Sequence, residues 1–217
     1  MNIDQNTINV LKNFATINPS IVIKEGNVLE TISSTKTIKA KATVTTAFSR
    51  RFGIYNLSRF ISTLSLFNEP DVEFGDNALT ISDGDKSVQL TYSDESTIIK
   101  VPEKKILLPS VDVSVTLTND NLKAVEKALG VLSVPEIIIS GRDGKVYIEA
   151  ADSKNPSGDF YSIEIGESDN NFRAIFKSEN IKILPGDYSI EICSKGISKW
   201  FNDEVEYFIA VESSSTF

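Results

Sequence analysis

Hydrophobic residues recur every three to four positions in several stretches of the chain, a spacing that places them on one face of an α-helix. In the first stretch Ile8, Leu11 and Ala15 form the apolar stripe, Asp4 is placed to cap the amino end, and Asn18 precedes a proline. A capping residue before the stripe and a proline after it indicate where a helix begins and ends. The predicted helices cover residues 4–18, 57–67 and 119–132, with a shorter candidate at residues 178–184.

Much of the remaining chain alternates between apolar and polar residues, which is typical of strands that are buried on one face. Residues 37–46 are the clearest case, because apolar side chains alternate there with Lys39 and Lys41. Residues 21–32 and 137–148 are predicted to be hairpins, the second on an Asp-Gly turn. The other predicted strands lie at residues 72–74, 78–81, 88–92, 111–117, 160–165, 188–193 and 205–211.

The two halves of the chain run through the same order of elements. Their first helices begin about 115 residues apart, as do their hairpins, and a fixed offset indicates a duplicated unit. Residues 102–110 form the predicted connector, since prolines near both ends favour extended backbone. We therefore predict an α+β fold with two domains, residues 1–105 and 106–217, in which the polar tail, residues 212–217, is frayed. The pattern alone fits an accidental similarity of two α+β halves equally well.

The composition excludes several kinds of active site. The chain contains no histidine and a single cysteine, Cys193, which rules out Ser-His and Cys-His nucleophiles, a disulfide within the chain and a cysteine zinc site. No acidic segment has the spacing of an EF-hand, and no apolar run approaches the roughly 18 residues of a membrane span. We predict a protein that holds no metal or cofactor and works in a reducing, cytosolic compartment, while the residues alone leave an oxygen-only Mg²⁺ or Ca²⁺ site open.

The formal net charge of −8 comes from 22 basic and 30 acidic residues. Ordinary nucleic-acid binding needs a basic surface that displaces counterions from phosphate, and the chain as a whole lacks such an excess of positive charge. One hypothesis is therefore an acidic, β-rich, non-catalytic binding or structural protein, such as a virion component. A hydrolase built on two carboxylates is a remote alternative, because most of the carboxylates fall in predicted turns.

Four segments resemble the sliding clamps of T-even-like bacteriophages. The most specific is Leu-Lys-Asn-Phe-Ala-Thr-Ile-Asn at residues 11–18, which is similar to the first helix of that family, and residues 54–66 are similar to its second helix. Pro-Gly-Asp-Tyr at residues 185–188 and the strand at residues 207–212 match its carboxy-terminal region. The likeness reaches both ends of the chain, whereas residues 72–105 match only as a pattern of strands.

The resemblance implies a DNA-clamp fold with two similar clamp domains in each subunit, and a homotrimer that closes into a ring of six domains. It implies that helices line the central hole and that the ring encircles duplex DNA and tethers the replicative DNA polymerase for processive replication. It also implies that the protein is not an enzyme. The resemblance further implies an ATP-driven clamp loader, partners that dock through short peptides, and a viral protein that works in the cytoplasm of its bacterial host. Such a ring can be acidic overall, because topology rather than affinity keeps it on the duplex.

Basic residues on the predicted helices are the candidates for DNA-facing positions in such a ring: Lys12, Arg59, Lys123, Lys127, Lys177 and Lys182. Lys123 and Lys127 are four residues apart and hence on one face of their helix, although Asp120 and Glu126 share that helix. The candidates for partner binding are the connector residues Ile106, Leu107 and Leu108. Two alternatives stay open: the cations are ordinary solvated side chains of amphipathic helices, and the three apolar residues seal the domain cores.

Overall fold

Three α-helices form where the spacing of apolar residues predicts them: α1 (Gln5–Ile17), α2 (Leu57–Leu64) and α3 (Asn119–Leu132). Each follows a residue whose side chain accepts a hydrogen bond from the backbone N–H three positions on, and these residues are Asp4, Asn56 and Thr118. Such a cap satisfies one of the N–H groups that have no partner in the first helical turn. The predicted caps at Asp4 and Asn56 are confirmed.

The computed structural model describes residues 1–217. Contacts within the chain divide these residues into two compact units, unit 1 (Met1–Lys104) and unit 2 (Lys105–Phe217). The division lies next to the predicted boundary between residues 105 and 106.

Unit 1 contains α1, α2 and seven strands. The strands are β1 (Ile21–Ile23), β2 (Gly26–Ile32), β3 (Ile38–Phe48), β4 (Phe52–Ile54), β5 (Asp71–Phe74), β6 (Ala78–Asp83) and β7 (Lys86–Thr91). All pairs are antiparallel: β1 pairs with β4, β2 with β3, and β6 with both β5 and β7. The buried faces of α1 and α2 are built on Leu11, Phe14 and Phe60, none of them more than 2% exposed.

Unit 2 contains α3 and eight strands. The strands are β8 (Val113–Leu117), β9 (Glu136–Arg142), β10 (Lys145–Ala151), β11 (Tyr161–Glu167), β12 (Phe172–Lys177), β13 (Tyr188–Cys193), β14 (Ile197–Phe201) and β15 (Val205–Ala210). They form one antiparallel row in the order β11-β10-β9-β12 and another in the order β8-β13-β14-β15. Trp200 is fully buried beneath the second row, with its ring edge-on to Phe176 at a centroid distance of 5.5 Å.

The two units repeat one scheme of strand pairing. The pair β1–β4 corresponds to β9–β12, the pair β2–β3 to β10–β11, and the run β5-β6-β7 to β13-β14-β15. Each scheme follows a long helix, α1 or α3. The repeated pairing favours duplication over an accidental similarity of the two halves.

The predicted hairpin at residues 137–148 forms as β9 and β10, and both Asp143 and Gly144 in its turn have positive φ. The predicted hairpin at residues 21–32 is wrong, because β1 pairs with β4 and β2 pairs with β3. Only Lys24 and Glu25 separate β1 from β2, and β2 instead finds a partner of 11 residues in β3. A long neighbouring strand therefore overrides the local turn signal at Gly26, whose φ is 103°.

The predicted short helix at residues 178–184 is also wrong. Only Ser178–Asn180 forms a turn of 3-10 helix, and the following residues alternate between buried Ile181 and Ile183 and half-buried Lys182 and Leu184. That period of two belongs to extended backbone rather than to a helix.

Strands β4, β12 and β14 are absent from the sequence-based predictions. In β12 four of the six residues are buried, on both faces of the strand. A strand buried on both faces loses the alternation that identifies strands in a sequence.

The polar tail, predicted to be frayed, instead lies along the outer edge of β12. Arg173 and Thr216 exchange two backbone hydrogen bonds of 2.8 and 3.0 Å, and the Glu212 N–H donates to the Ile175 carbonyl at 2.9 Å. The tail thus satisfies backbone groups that an edge strand would otherwise leave open.

Asp4 connects the start of α1 to β3. Its carboxylate accepts hydrogen bonds from the Thr7 N–H at 2.9 Å, from the Thr7 hydroxyl at 2.8 Å and from the Thr46 hydroxyl. Burial on its own would raise the pKa of Asp4, but the hydrogen bonds from Thr46, Thr7 and Thr45 outweigh it and hold the pKa well below the ordinary value of 3.8. The ionised form is therefore the one that the fold stabilises.

We expect Asp4→Ala to lower the free energy of unfolding by about 1–2 kcal/mol at neutral pH, because the cap and the link to β3 are lost. A carboxyl group with a lowered pKa in the folded state stabilises the fold above its ordinary pKa and loses this effect as the pH falls. The difference between wild type and variant in urea unfolding should therefore shrink as the pH drops below 3.8. An unchanged difference at acidic pH would contradict the assigned role of Asp4.

Candidate nucleic-acid interface

The solvent-facing side of α1 carries one cation and no acid. Thr7, Val10, Leu11, Phe14 and Ile17 form its buried side. Its exposed residues are Gln5, Asn6, Asn9, Lys12 and Thr16. An anion that approaches α1 therefore meets one ammonium group among neutral amide and hydroxyl groups.

The short helix α2 has the same character. Arg59 is exposed, together with the neutral residues Ser58 and Ser62, and α2 contains no acidic residue. A shallow groove lies between α1 and α2, lined by Lys12 on one side and by Ser62 and Ser65 on the other, and its lining also includes the acidic residues Asp4 and Glu69. The two predicted helix cations of unit 1 thus lie on helices that pack against each other.

In unit 2, Lys123 and Lys127 are both exposed on α3. At 100° per residue they point about 40° apart on the helix surface, which agrees with the prediction that they share a face. Asp120 and Glu126 are exposed on the same helix. Glu126 lies beside the buried stripe that contains Val125, and desolvation of its carboxyl group raises its pKa although the residue as a whole is exposed.

Charge is distributed unevenly between the helices and the rest of the chain. The three helices hold four of the 22 basic residues and two of the 30 acidic residues. The remaining residues therefore contain 18 basic and 28 acidic side chains, so that the negative excess lies entirely outside the helices, which are themselves net positive. This is the distribution expected of a protein that offers its helices to phosphate and repels it elsewhere.

Two other predicted DNA-facing residues do not lie on a helix. Lys177 is the last residue of β12, and its ammonium group is 3.9 Å from the Glu212 carboxylate. Lys182 is half-buried in the irregular segment after the 3-10 turn. Lys177 and Lys182 were predicted to face DNA because a helix was expected at residues 178–184, and without that helix this reason no longer applies.

The predicted partner-binding residues lie in a segment without regular secondary structure. Leu107 is 77% exposed, the most of any large hydrophobic side chain, whereas Ile106 and Leu108 are half-buried. The exposed Leu107 does not fit a role in sealing a core.

Sequence reasoning assigned no residues to a subunit interface, but each unit has an edge strand with an unpaired side. Several strands end a row of the sheets, and they include β2, β5 and β7 in unit 1 and β8 and β11 in unit 2. Tyr161 on β11 is 40% exposed, and Val131 on α3 is 73% exposed. A groove beside β7 is lined by Tyr55 and Leu90. The sequence could not identify these edge strands, because edge strands and central strands show the same alternation of apolar and polar residues.

No helix combines the length with the apolar composition needed to cross a membrane. Likewise, no three histidine, cysteine, aspartate or glutamate side chains come together in a way that could hold a metal ion.

Two protein-family models match the chain in succession. The model described as DNA polymerase processivity factor matches residues 4–100, and the model described as gp45 sliding clamp, C terminal, matches residues 114–213. The curated relatives include proteins named sliding clamp from Vibrio phage KVP40, 30% identical over 98% of this chain and 100% of the relative, and from Escherichia phage RB69, 30% identical over 100% and 99%. The sliding clamp of Enterobacteria phage T4 is 29% identical over the same shares.

Solved structures of similar fold come from other branches of life. The PCNA of A. fulgidus, solved with the C-terminal region of FEN-1 bound, superposes with a TM-score of 0.69 at 13% identity over 94% of each chain. The Entamoeba histolytica PCNA gives 0.68 at 14% identity over 95% of each chain. A putative DNA polymerase III beta subunit from Eubacterium rectale gives 0.68 at 12% identity over 96% of this chain and 64% of that one. At such low identity these likenesses establish the fold.

Proposed function

The chain belongs to the family of phage sliding clamps, the non-catalytic processivity factors of DNA polymerases, and from this premise we propose how its residues carry out that role. Three copies close into a ring of six clamp domains, with residues 1–105 and 106–217 as the two domains of each subunit. The ring encircles duplex DNA inside the bacterial host, after an ATP-driven loader has opened it. The observation that carries this proposal is the difference in net charge between the three helices and the rest of the chain. An acidic structural protein, the other hypothesis, has no need of helices that are depleted in acidic residues.

We propose that the ring closes head to tail, with β7 of one copy beside β11 of the next. Unpaired N–H and C=O groups on an edge strand are a template for a second strand. The two edges belong to different units, so their contact joins unlike surfaces, which is the arrangement that generates rings. Tyr161 and Val131 supply exposed apolar area on one side, and the groove with Tyr55 supplies it on the other.

Light scattering should give the wild type a mass of about 72 kDa, three times the chain mass of 23.9 kDa. Tyr161→Asp should shift the population towards the mass of one chain, because a carboxylate desolvated at the joint opposes closure. Leu107→Ser is the matched control, since Leu107 is more exposed but lies on the connector. A wild type that stays monomeric or dimeric at micromolar concentration would refute the ring.

We further propose that Lys12, Arg59, Lys123 and Lys127 face the DNA. A clamp must attract phosphate without reading bases, because base contacts would stop sliding. Lysine suits this task, since its ammonium group is a hydrated point charge on a flexible stem. Lys177 and Lys182 are left out of the set because neither lies on a helix.

Lys12→Glu and Lys123→Glu should each reduce loading on nicked circular DNA by about three- to tenfold, since each reversal removes attraction to phosphate. The assay uses the cognate ATP-driven loader and counts clamps that survive a high-salt wash. Lys195→Glu, in the exposed turn after β13, changes the net charge equally and should load normally. Linearising the circle should release every clamp. Wild-type loading by both helix variants would remove these residues from the lining.

Connector residues Ile106, Leu107 and Leu108 are proposed to hold an apolar side chain of a polymerase peptide. Leu107 is the anchor of this contact, because its side chain is the most exposed to solvent of the three.

Leu107→Ser should weaken binding of the polymerase's carboxy-terminal peptide by about tenfold, the loss of roughly 1.4 kcal/mol at a central apolar contact. Calorimetric titration gives the affinity. Val111→Ser is the control, because Val111 is also exposed and close in the chain. Equal affinities for all three proteins would place the docking site elsewhere.

A further inference from the structure

The tail pairs with β12 at the Arg173–Thr216 bridge and then folds into a turn, in which the Ser215 N–H donates to the Glu212 carbonyl at 3.0 Å. Besides the two bonds with Arg173 and the one with Ile175, the Ile175 N–H donates to the Ser215 hydroxyl at 2.9 Å. None of residues 212–217 is buried, and Phe217 is 44% exposed. A segment with few buried contacts and exposed hydrogen bonds opens at low free-energy cost.

Unit 1 contains a counterpart of this contact that is anchored more firmly. There the Ser93 N–H donates to the Gly53 carbonyl at 3.0 Å, and the Ser93 hydroxyl accepts from the Tyr55 N–H at 3.0 Å. The segment that follows inserts Ile98, which is only 4% exposed. In unit 2 the Ser215 hydroxyl likewise accepts a hydrogen bond from a strand N–H, but no buried side chain of the tail anchors it. The tail of unit 2 is therefore the easier of the two segments to release.

The charges on β12 favour an acidic strand in the place of the tail. Residues 173, 175 and 177 share one face of the strand, because side chains alternate. Lys177 has an acidic neighbour on the tail, Glu212, at 3.9 Å. Arg173 stands opposite Thr216 in an antiparallel bridge, and its guanidinium makes no hydrogen bond or ion pair within the protein.

A groove beside Arg173 leaves room for a longer side chain. It is lined by Arg173 itself, by Ile138 and by Arg142, whose guanidinium is already bound to Glu149 at 2.8 Å. The loop on the other side contributes Asp152 and Asp159. These carboxylates would repel an acidic side chain of a ligand on the loop side of the groove. Such a side chain is therefore expected on the strand side, next to Arg173.

We propose that the edge of β12 is a docking site for an acidic, extended peptide segment of a partner protein, which displaces the tail and adds as an antiparallel strand. Backbone hydrogen bonds give such a strand its affinity, and side chains at alternate positions give it specificity. The peptide carries one acid opposite Arg173 and another opposite Lys177, four residues apart. The tail supplies only the second of these, so a peptide with both replaces it. The site is separate from the connector and needs neither the ring nor DNA.

The first test asks whether the tail covers the edge. Hydrogen exchange is measured on the full chain and on a chain that ends at Val211, which is itself buried and retained. The amides of Arg173 and Ile175 should exchange at least tenfold faster in the shortened chain. Thr216→Glu in the full chain should slow them about two- to fivefold, the range for one favourable cross-strand pair, and Thr216→Gln should not. Unchanged exchange in the shortened chain, or equal exchange in Thr216→Glu and wild type, would overturn the proposal.

The second test adds the strand back as a separate molecule. Two six-residue peptides are titrated into the isotopically labelled shortened chain: Glu-Ser-Ser-Ser-Thr-Phe, the sequence of residues 212–217, and the same peptide with glutamate as its fifth residue. The second should bind about two- to fivefold more tightly, shift the amide resonances of residues 172–177, and lose its advantage in Arg173→Gln. Shifts confined to the connector, or an advantage that survives Arg173→Gln, would overturn the proposal. Neither outcome depends on loading, so the proposed clamp function is judged separately.

Discussion

Repulsion between an acidic protein and an acidic polymer is the constraint on which this structure depends. With a net charge of −8 the chain cannot hold DNA by general attraction. The three helices depart from that average, and α1 and α2 contain no acidic residue at all. On the proposal that the helices face DNA, negative charge on the remaining surface has a use, because it discourages DNA from lying elsewhere. The fold serves this separation by giving each unit one long helix and a scaffold of short antiparallel strands.

The scaffold is one scheme of strand pairing used twice, and the differences between the copies are as informative as the likeness. In unit 1 the second helix position is occupied by α2, whereas in unit 2 the same position holds only the 3-10 turn Ser178–Asn180. The edges differ as well: β4 is covered by a segment anchored through Ile98, and β12 by the exposed tail. The two bodies thus share most of their strand pairing, and they differ at their edges, at the second helix position and in the β9–β10 pair, which has no counterpart between β1 and β2.

The sequence predicts the helices of this fold better than its strands. Polar caps such as Asp4 and Asn56, followed by residues at helical spacing, contain the whole signal for α1 and α2, because a helix forms its hydrogen bonds within itself. A strand must find a partner elsewhere in the chain, and local residues do not name it. The turn near Gly26 suggests a hairpin, yet β1 pairs with residues about 30 positions away at Phe52–Ile54. Burial on both faces hides β12 for a related reason.

At the candidate site, the spacing of Lys123 and Lys127 correctly predicted that both lie on one face of a helix. Lys177 and Lys182 were grouped with the helix lysines because a helix was predicted at residues 178–184, and that helix does not form.

On the proposal that α1 and α2 face the duplex, their exposed amides and hydroxyl groups have a consequence for motion along it. A neutral polar group exchanges a phosphate oxygen for a water molecule at little net cost. Each of these helices has only one cation, so that only one ionic contact per helix must break when the protein moves. The energy of the complex then varies little from one base step to the next. Friction inside the ring would be set by the viscosity of the water layer more than by the breaking of ionic contacts.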